Sequence, residues 1–292
     1  MIQGRCGAPF LWRAPHMHPE ASASSAREHP CRAPRLPAGV AAHCENARWH
    51  RDRVGEAGAA VYRVARPGRA DLYLKHGRGA VAEAVVDEMV RLRWLQGHLP
   101  VARLLHFEVA ASEAWLLTHA LPGRTAYQWL CDAPAHMPQI VTTLARTLAQ
   151  LHRLPVSSCP FQAPLDQRLA HARQRLDAGL IDPDDFDDAR QGWTPAQVWR
   201  ELQRLRPTGH DAVVCHGDYS LDNLLLDARG RLTGLIDLGR LGVADRFQDL
   251  AILWNSLGEF GTDAQRRLFS AYGLAPPDAR RLDFYLCLDE CF

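Results

Sequence analysis

Lysine is almost missing from this chain. Of 34 cationic residues in 292, one is a lysine, Lys75, and the other 33 are arginine. Asparagine is nearly as scarce, occurring only at 46, 223 and 255. The heavy use of Arg, Ala, Leu and Pro reads as a bias of the whole composition. A retained Lys or Asn therefore points to a chemical need that Arg or Asp does not meet. Excess charge is missing too: the formal net charge is +1, so no cationic field draws the chain to nucleic acid or to an anionic membrane surface. No apolar run approaches the roughly 20 residues of a membrane helix, and no hydrophobic signal core follows the N-terminal arginines. The eight cysteines never form a CxxC pair, which argues against a zinc knuckle or a thioredoxin-type motif. They are expected to behave as small hydrophobes in a reducing, cytoplasmic setting. No internal repeat is present, and nothing in the sequence fixes an oligomeric state.

What is present is a globular composition, 47% apolar over a length that suits one large or two moderate domains. Residues 1–37 mix Pro, Ala, Arg, His and Ser without periodicity and are expected to form a disordered extension. From about residue 50 the pattern becomes strand-like. A GEAGAA turn (55–60) leads into VYRVA, a PGRA turn and DLYLKHG, which together predict a β-hairpin with Lys75 near the end of its second strand. Val85, Val86, Met89, Leu92 and Leu95 recur at helical spacing across 80–97, with Gly97 as the stop. Two more strands follow in VARLLHFEVA and EAWLLTHA, and LPGRT at 121–125 reads as a linker. Beyond it the chain is mainly helical, interrupted by one short β section at about 212–237. The expectation is an α+β, two-lobed architecture of the kinase type: a small β-rich lobe over 38–120 and a larger helical lobe over 121–292.

Chemistry concentrates in VVCHGDYSLDNLLLD (213–227), where His216, Asp218 and Asn223 share a loop between a β-branched run and a leucine run. A carboxylate and an amide five residues apart can face one small volume. That suits a metal-assisted transfer to a hydroxyl, one group handling the proton and an oxygen holding Mg²⁺. Asp237 ends the next hydrophobic strand, fourteen residues beyond Asn223, where a hard-cation ligand would stand. HGD alone is a common turn; the joint pattern HxDxxxxN with the later strand-terminal Asp is much narrower. Lys75 then gains a meaning, because a strand-borne lysine that grips nucleotide phosphates needs a compact ammonium held by a helix carboxylate. Glu88 is the natural partner and Asp87 the substitute. IDPDDFDDARQGW adds five aspartates, 182, 184, 185, 187 and 188, within seven residues. Their repulsion would be relieved by a polycationic ligand, the bland alternative being a solvated acidic loop.

The His216–Asn223 loop, the segment GLIDLGRLGVADRFQDLA (234–251), Lys75 with Glu88, and the ending FYLCLDECF together resemble the aminoglycoside 3'-phosphotransferases, antibiotic kinases with a protein-kinase-like fold. The resemblance runs from about residue 40 to 292. It implies ATP and Mg²⁺, and it assigns roles by motif position. Asp218 is then the base for the sugar hydroxyl, and Asn223 and Asp237 ligate the metal. Lys75, placed by Glu88, meets the α and β phosphates. Tyr73 lies against the adenine, and the backbone near His119 and Leu121 bonds its edge. His216 braces the loop, Arg240 supports the metal side, and GEAGAA covers the phosphates without a full GxGxxG. Asp185, Asp187, Asp188, Asp289, Glu290 and the carboxylate of Phe292 line an acceptor site for ammonium groups, with a contribution from Glu259. The helix after Asp249 departs from the family pattern at Asn255 and Ser256, where a further acid is expected, so the antibiotic range stays open. Two other readings compete: a kinase of another small hydroxylated molecule (a macrolide, choline or a sugar), and a non-catalytic nucleotide-binding regulator. The acidic loop argues against a neutral acceptor. Retention of Lys75, Glu88, Asp218, Asn223 and Asp237 together argues against the regulator.

Overall fold

The computed structural model describes residues 28–52, 58–187, 189–209, 211–274 and 277–292. The first half builds a six-stranded antiparallel sheet from β1 (Glu28–Cys31), β2 (Arg48–Asp52), β3 (Ala60–Ala65), β4 (Leu72–Arg78), β5 (Leu104–Ala110) and β6 (Glu113–His119), in the order β1-β2-β3-β4-β6-β5. Alternation along β4 decides what each face does. Leu72 and Leu74 are fully buried against Val40, Trp49, Trp115 and Leu117 on one side, and His76 stacks on Trp115 with ring centroids 5.0 Å apart. Tyr73 and Lys75 therefore point to the other face, where Lys75 lies opposite Leu116 of β6. On that face sits the helix Ala80–Leu95, whose Ala82, Val85, Leu92 and Leu95 are buried with Ala114 and Leu116.

Residues 28–37 correct the expected boundary of the N-terminal extension. Glu28–Cys31 pairs along its length with Arg48–Asp52. As an edge strand it needs backbone pairing on one side only, so EHPC carries no hydrophobic alternation to betray it. A short helix, Ala38–Ala41, follows and buries Val40.

After the link at 120–123 the chain forms β7 (Arg124–Thr125) and then helices Ala126–Asp132, Met137–His152, Leu165–Asp177, Pro195–Leu205, Phe247–Gly258, Thr262–Tyr272 and Ala279–Asp289. Thr125 starts the first of these with a reciprocal cap. Its hydroxyl accepts from the Gln128 N–H while the Gln128 side chain accepts from the Thr125 N–H, an arrangement that contributes about 1 kcal/mol. Met137–His152 is the central helix: Ile140, Val141, Leu144, Leu148 and Leu151 recur every three or four residues and are fully buried. The β section expected at 212–237 splits in two. β9 (Leu224–Leu226) and β10 (Leu232–Leu235) join β7, whereas β8 (Ala212–Cys215) pairs with a strand the periodicity did not reveal, β11 (Gly242–Asp245). One buried cluster runs from the Ala80–Leu95 helix through the whole helical part, so the two halves share a core at the helix that carries Glu88. None of the seven described cysteines is in a disulfide, and no described helix is long and apolar enough to cross a membrane.

Candidate active site

Lys75 projects from β4 between two carboxylates. Its Nζ lies 2.6 Å from Glu88 Oε2, and it also bonds Asp237 Oδ1. Both members of the first pair are mostly buried, whereas half of the Asp237 side chain is open. Burial opposes the Lys75 charge, but Glu88 and Asp237 outweigh it and hold the ammonium pKa above its ordinary value. Burial lifts the Glu88 carboxyl above its usual range, with Lys75 pulling against it. Asp87, the other candidate partner, pairs with Arg91 one turn along its own helix. Asp237 reaches the lysine because it adopts a left-handed backbone, φ 56° and ψ 56°. That conformation costs a non-glycine residue about 1–2 kcal/mol and is tolerated best by Asn and Asp.

The loop after β8 supplies the second group. Asn223 Nδ2 donates to the Asp218 carbonyl at 3.0 Å and to Asp218 Oδ2 at 3.1 Å. The buried His216 ring accepts the Asp218 N–H at Nδ1, 3.2 Å, which leaves Nε2 as the donor to the Ile236 carbonyl 3.0 Å away. The Ile236 N–H in turn donates to the Asn223 carbonyl. The loop of Asp218 is thereby tied to the residue that precedes Asp237. Gly217 is obligatory here: its φ is +89°, and a Cβ would stand 2.3 Å from the Arg240 carbonyl oxygen.

Asp249 lies in the 234–251 segment, where the sequence assigns it no role. It is fully buried at the start of helix Phe247–Gly258, and its two oxygens accept the N–H groups of His216 (2.7 Å) and Gly217 (2.8 Å). His152, from the central helix, completes the bracket at 3.1 Å and carries Tyr272 on its other nitrogen. Burial alone would raise the Asp249 carboxyl; His152, His216 and the Gly217 N–H reverse this and hold it below the usual carboxylate range. Its signal in the sequence is position alone, an acid in the first turn of a helix.

The remaining residues fall into separate places. Tyr73 is on the Lys75 face, its hydroxyl donating to Glu28 of β1 at 3.3 Å. Burial and the neighbouring Glu28 push that phenol up to about 12. At the link, the His119 N–H is already taken by the Arg103 carbonyl. Asp187 and Glu290 meet: the Asp187 N–H donates to Glu290, and Arg190 bonds both carboxylates, at 2.6 and 3.4 Å. Asp289 pairs with Arg168, and the Phe292 ring lies under Arg168 and Arg240. Asp185 is exposed, Asp182 caps the Asp184 N–H, and Glu259 accepts the Tyr127 hydroxyl. Ser256, where a further acid was expected, donates to the Ile252 carbonyl of its own helix. Asp188, and 55–57 of the phosphate-covering turn, lie outside the described residues.

A strand lysine held by a helix acid, facing an Asp/Asn loop and a strand-end Asp between a β-rich and a helical half, defines a two-lobed, kinase-like phosphotransferase. The chain belongs to the phosphotransferase enzyme family, whose profile matches residues 35–285. It is 50% identical over 267 residues to an aminoglycoside 3'-phosphotransferase of Escherichia coli, covering 91% of this chain and 98% of that one. Among solved structures it resembles a type VIII aminoglycoside-3'-phosphotransferase, with a TM-score of 0.77 and 33% identity over 87% of this chain and 98% of that one. It also resembles an aminoglycoside phosphotransferase of Streptomyces rimosus solved with ADP and streptomycin. For that pair the TM-score is 0.70 and the identity 31%, covering 82% of this chain and 94% of the other.

Proposed function

We propose that this chain transfers the γ-phosphoryl group of ATP to the 3'-hydroxyl of an aminoglycoside and so confers resistance to such antibiotics. The observation that carries the reading is the placement of Lys75, Glu88 and Asp237 in one hydrogen-bonded group, tied through Ile236 to the loop of Asp218 and Asn223. Two carboxylates around one ammonium leave an excess negative charge, as a cation site requires. Asn223 commits its amide hydrogens to Asp218, which leaves a carbonyl oxygen as its acceptor atom, and Asp237 contributes carboxylate oxygens. An all-oxygen set of this kind fits Mg²⁺. When bound, Mg²⁺ would neutralise charge on the phosphate oxygens.

The chain's own residues do the rest. Lys75 holds phosphate oxygens, and Glu88 fixes the ammonium on its strand. Asp218 takes the proton of the acceptor hydroxyl; Asn223 orients its carboxylate, and the brackets from His216 and Asp249 keep the loop from moving. Because the transferred group passes through a loose transition state, alignment and charge neutralisation supply most of the acceleration. Tyr73 and the backbone at His119 and Leu121 receive the adenine. The His119 carbonyl is the group to use there, since its N–H is engaged. Arg240 supports the turn that carries Asp237. The acceptor's ammonium groups are assigned to Asp185, Asp187, Asp188, Glu259, Asp289, Glu290 and the Phe292 carboxylate; of these Asp185 is exposed, whereas Asp187 and Glu290 are paired with Arg190 and Asp289 with Arg168. The relatives' names support an aminoglycoside over the neutral acceptors. Asp218→Ala should lower kcat on kanamycin by about 10³-fold while leaving ATP affinity within twofold. Turnover close to wild type in the purified variant would remove Asp218 from its role. An ADP-release assay in which choline or a macrolide is turned over and no aminoglycoside is would overturn the substrate class.

A further inference from the structure

The last residues of the chain are gripped by one helix. Arg168 and Arg175 lie seven residues apart on Leu165–Asp177, two turns, and so share a face. Arg175 Nε donates to the Cys291 carbonyl at 2.7 Å, and its Nη2 donates to the Leu180 carbonyl at 3.0 Å and to a carboxylate oxygen of Phe292 at 3.4 Å. Arg168 NH2 donates to Asp289 Oδ1 at 3.3 Å, and its guanidinium carbon stands 4.8 Å from the centre of the Phe292 ring. The Arg168 side chain is 14% exposed, and its Nε is buried with no hydrogen-bond partner among the described residues. A second guanidinium, Arg240, stands 5.8 Å from the same ring. Arg240 belongs to the turn Leu238–Arg240 that begins directly after Asp237, and its carbonyl is the group against which Gly217 packs.

We propose that Arg168 is a positioning residue for the acceptor side of the site: with Arg240 it clamps the Phe292 ring, and through Asp289 and Phe292 it fixes the end of the chain against the turn that carries Asp237. A buried guanidinium whose Nε has no partner is costly to keep, and the stacked ring is the compensation the geometry offers it. A lysine at 168 would preserve charge and lose the planar stack on the Phe292 ring.

The inference rests on the acceptor reading above, and the test separates the two. Arg168→Lys and Phe292→Leu are each expected to raise KM for kanamycin about tenfold, with kcat and KM for ATP within about twofold. The double variant should be no worse than either single one, because both remove the same contact. Additive losses, an unchanged kanamycin KM, or a parallel rise in ATP KM would overturn the proposal. Amide hydrogen exchange at Cys291 and Phe292 reads the clamp without substrate. Protection lost in Arg168→Lys supports it and protection retained overturns it, even if wild-type protein phosphorylates no aminoglycoside at all.

Discussion

Lys75 is surrounded by carboxylates whose separation matches an ammonium. Nζ bonds Glu88 and Asp237 at once, and a guanidinium, wider and planar, cannot occupy the same point between them. Lys75→Arg should therefore lower kcat/KM for ATP by about 100-fold despite the conserved charge, read by steady-state kinetics on kanamycin. Unchanged ATP KM and kcat would show that the single lysine is incidental. This pairing was legible in the sequence because the composition made lysine rare and the helical phase of 80–97 put an acid, Glu88, two turns into the neighbouring helix. Asp249 was not legible, since an acid at a helix start usually caps its own helix. Its use as the bracket for His216 and Gly217 depends on a packing that only the assembled fold creates.

At the level of elements, the strands and helices of the centre of the chain were readable from period and punctuation, and the edges were not. β1 has no alternation because it is paired on one side only. β11 was hidden inside GRLGVADR because its partner, β8, lies some thirty residues earlier in sequence. The acidic run 182–188 shows a different limit. Composition announced repulsion, yet the structure gives its members separate fates: Asp182 caps a backbone N–H, Asp185 stays open, and Asp187 is docked on Arg190 beside Glu290. Burial, with Asp187 next to it, pushes the Glu290 carboxyl up to about 8, Arg190 opposing. A carboxyl raised in the folded state contributes stability that is complete below its unfolded value, near 4.5, and is lost as pH rises through about 8. Glu290→Gln should accordingly flatten the fall in Tm between pH 5 and 8. A wild-type Tm that does not decline over that window, or a variant that declines equally, would place the titration elsewhere.

Taken whole, the molecule carries almost no net charge, and the acids near its C-terminus are paired with arginines. Arg168, Arg175 and Arg190 each hold a piece of the C-terminal region by its acids, carbonyls or ring. The placement of these C-terminal groups is thus set by contacts from helix Leu165–Asp177 and from Arg190, not by the terminal helix alone. None of these contacts is a local pattern, so the sequence could name the acids and not the guanidinium groups that aim or occupy them. The group around Lys75 was the more legible part, because its members on strand, helix and turn each stand in a recognisable sequence pattern. Transfer to a specific hydroxyl is read by NMR of the purified product of kanamycin and Mg·ATP. Phosphorus–proton coupling to the 3' position is the predicted result, and a phosphate at any other oxygen, or no phosphorylated kanamycin, would contradict it.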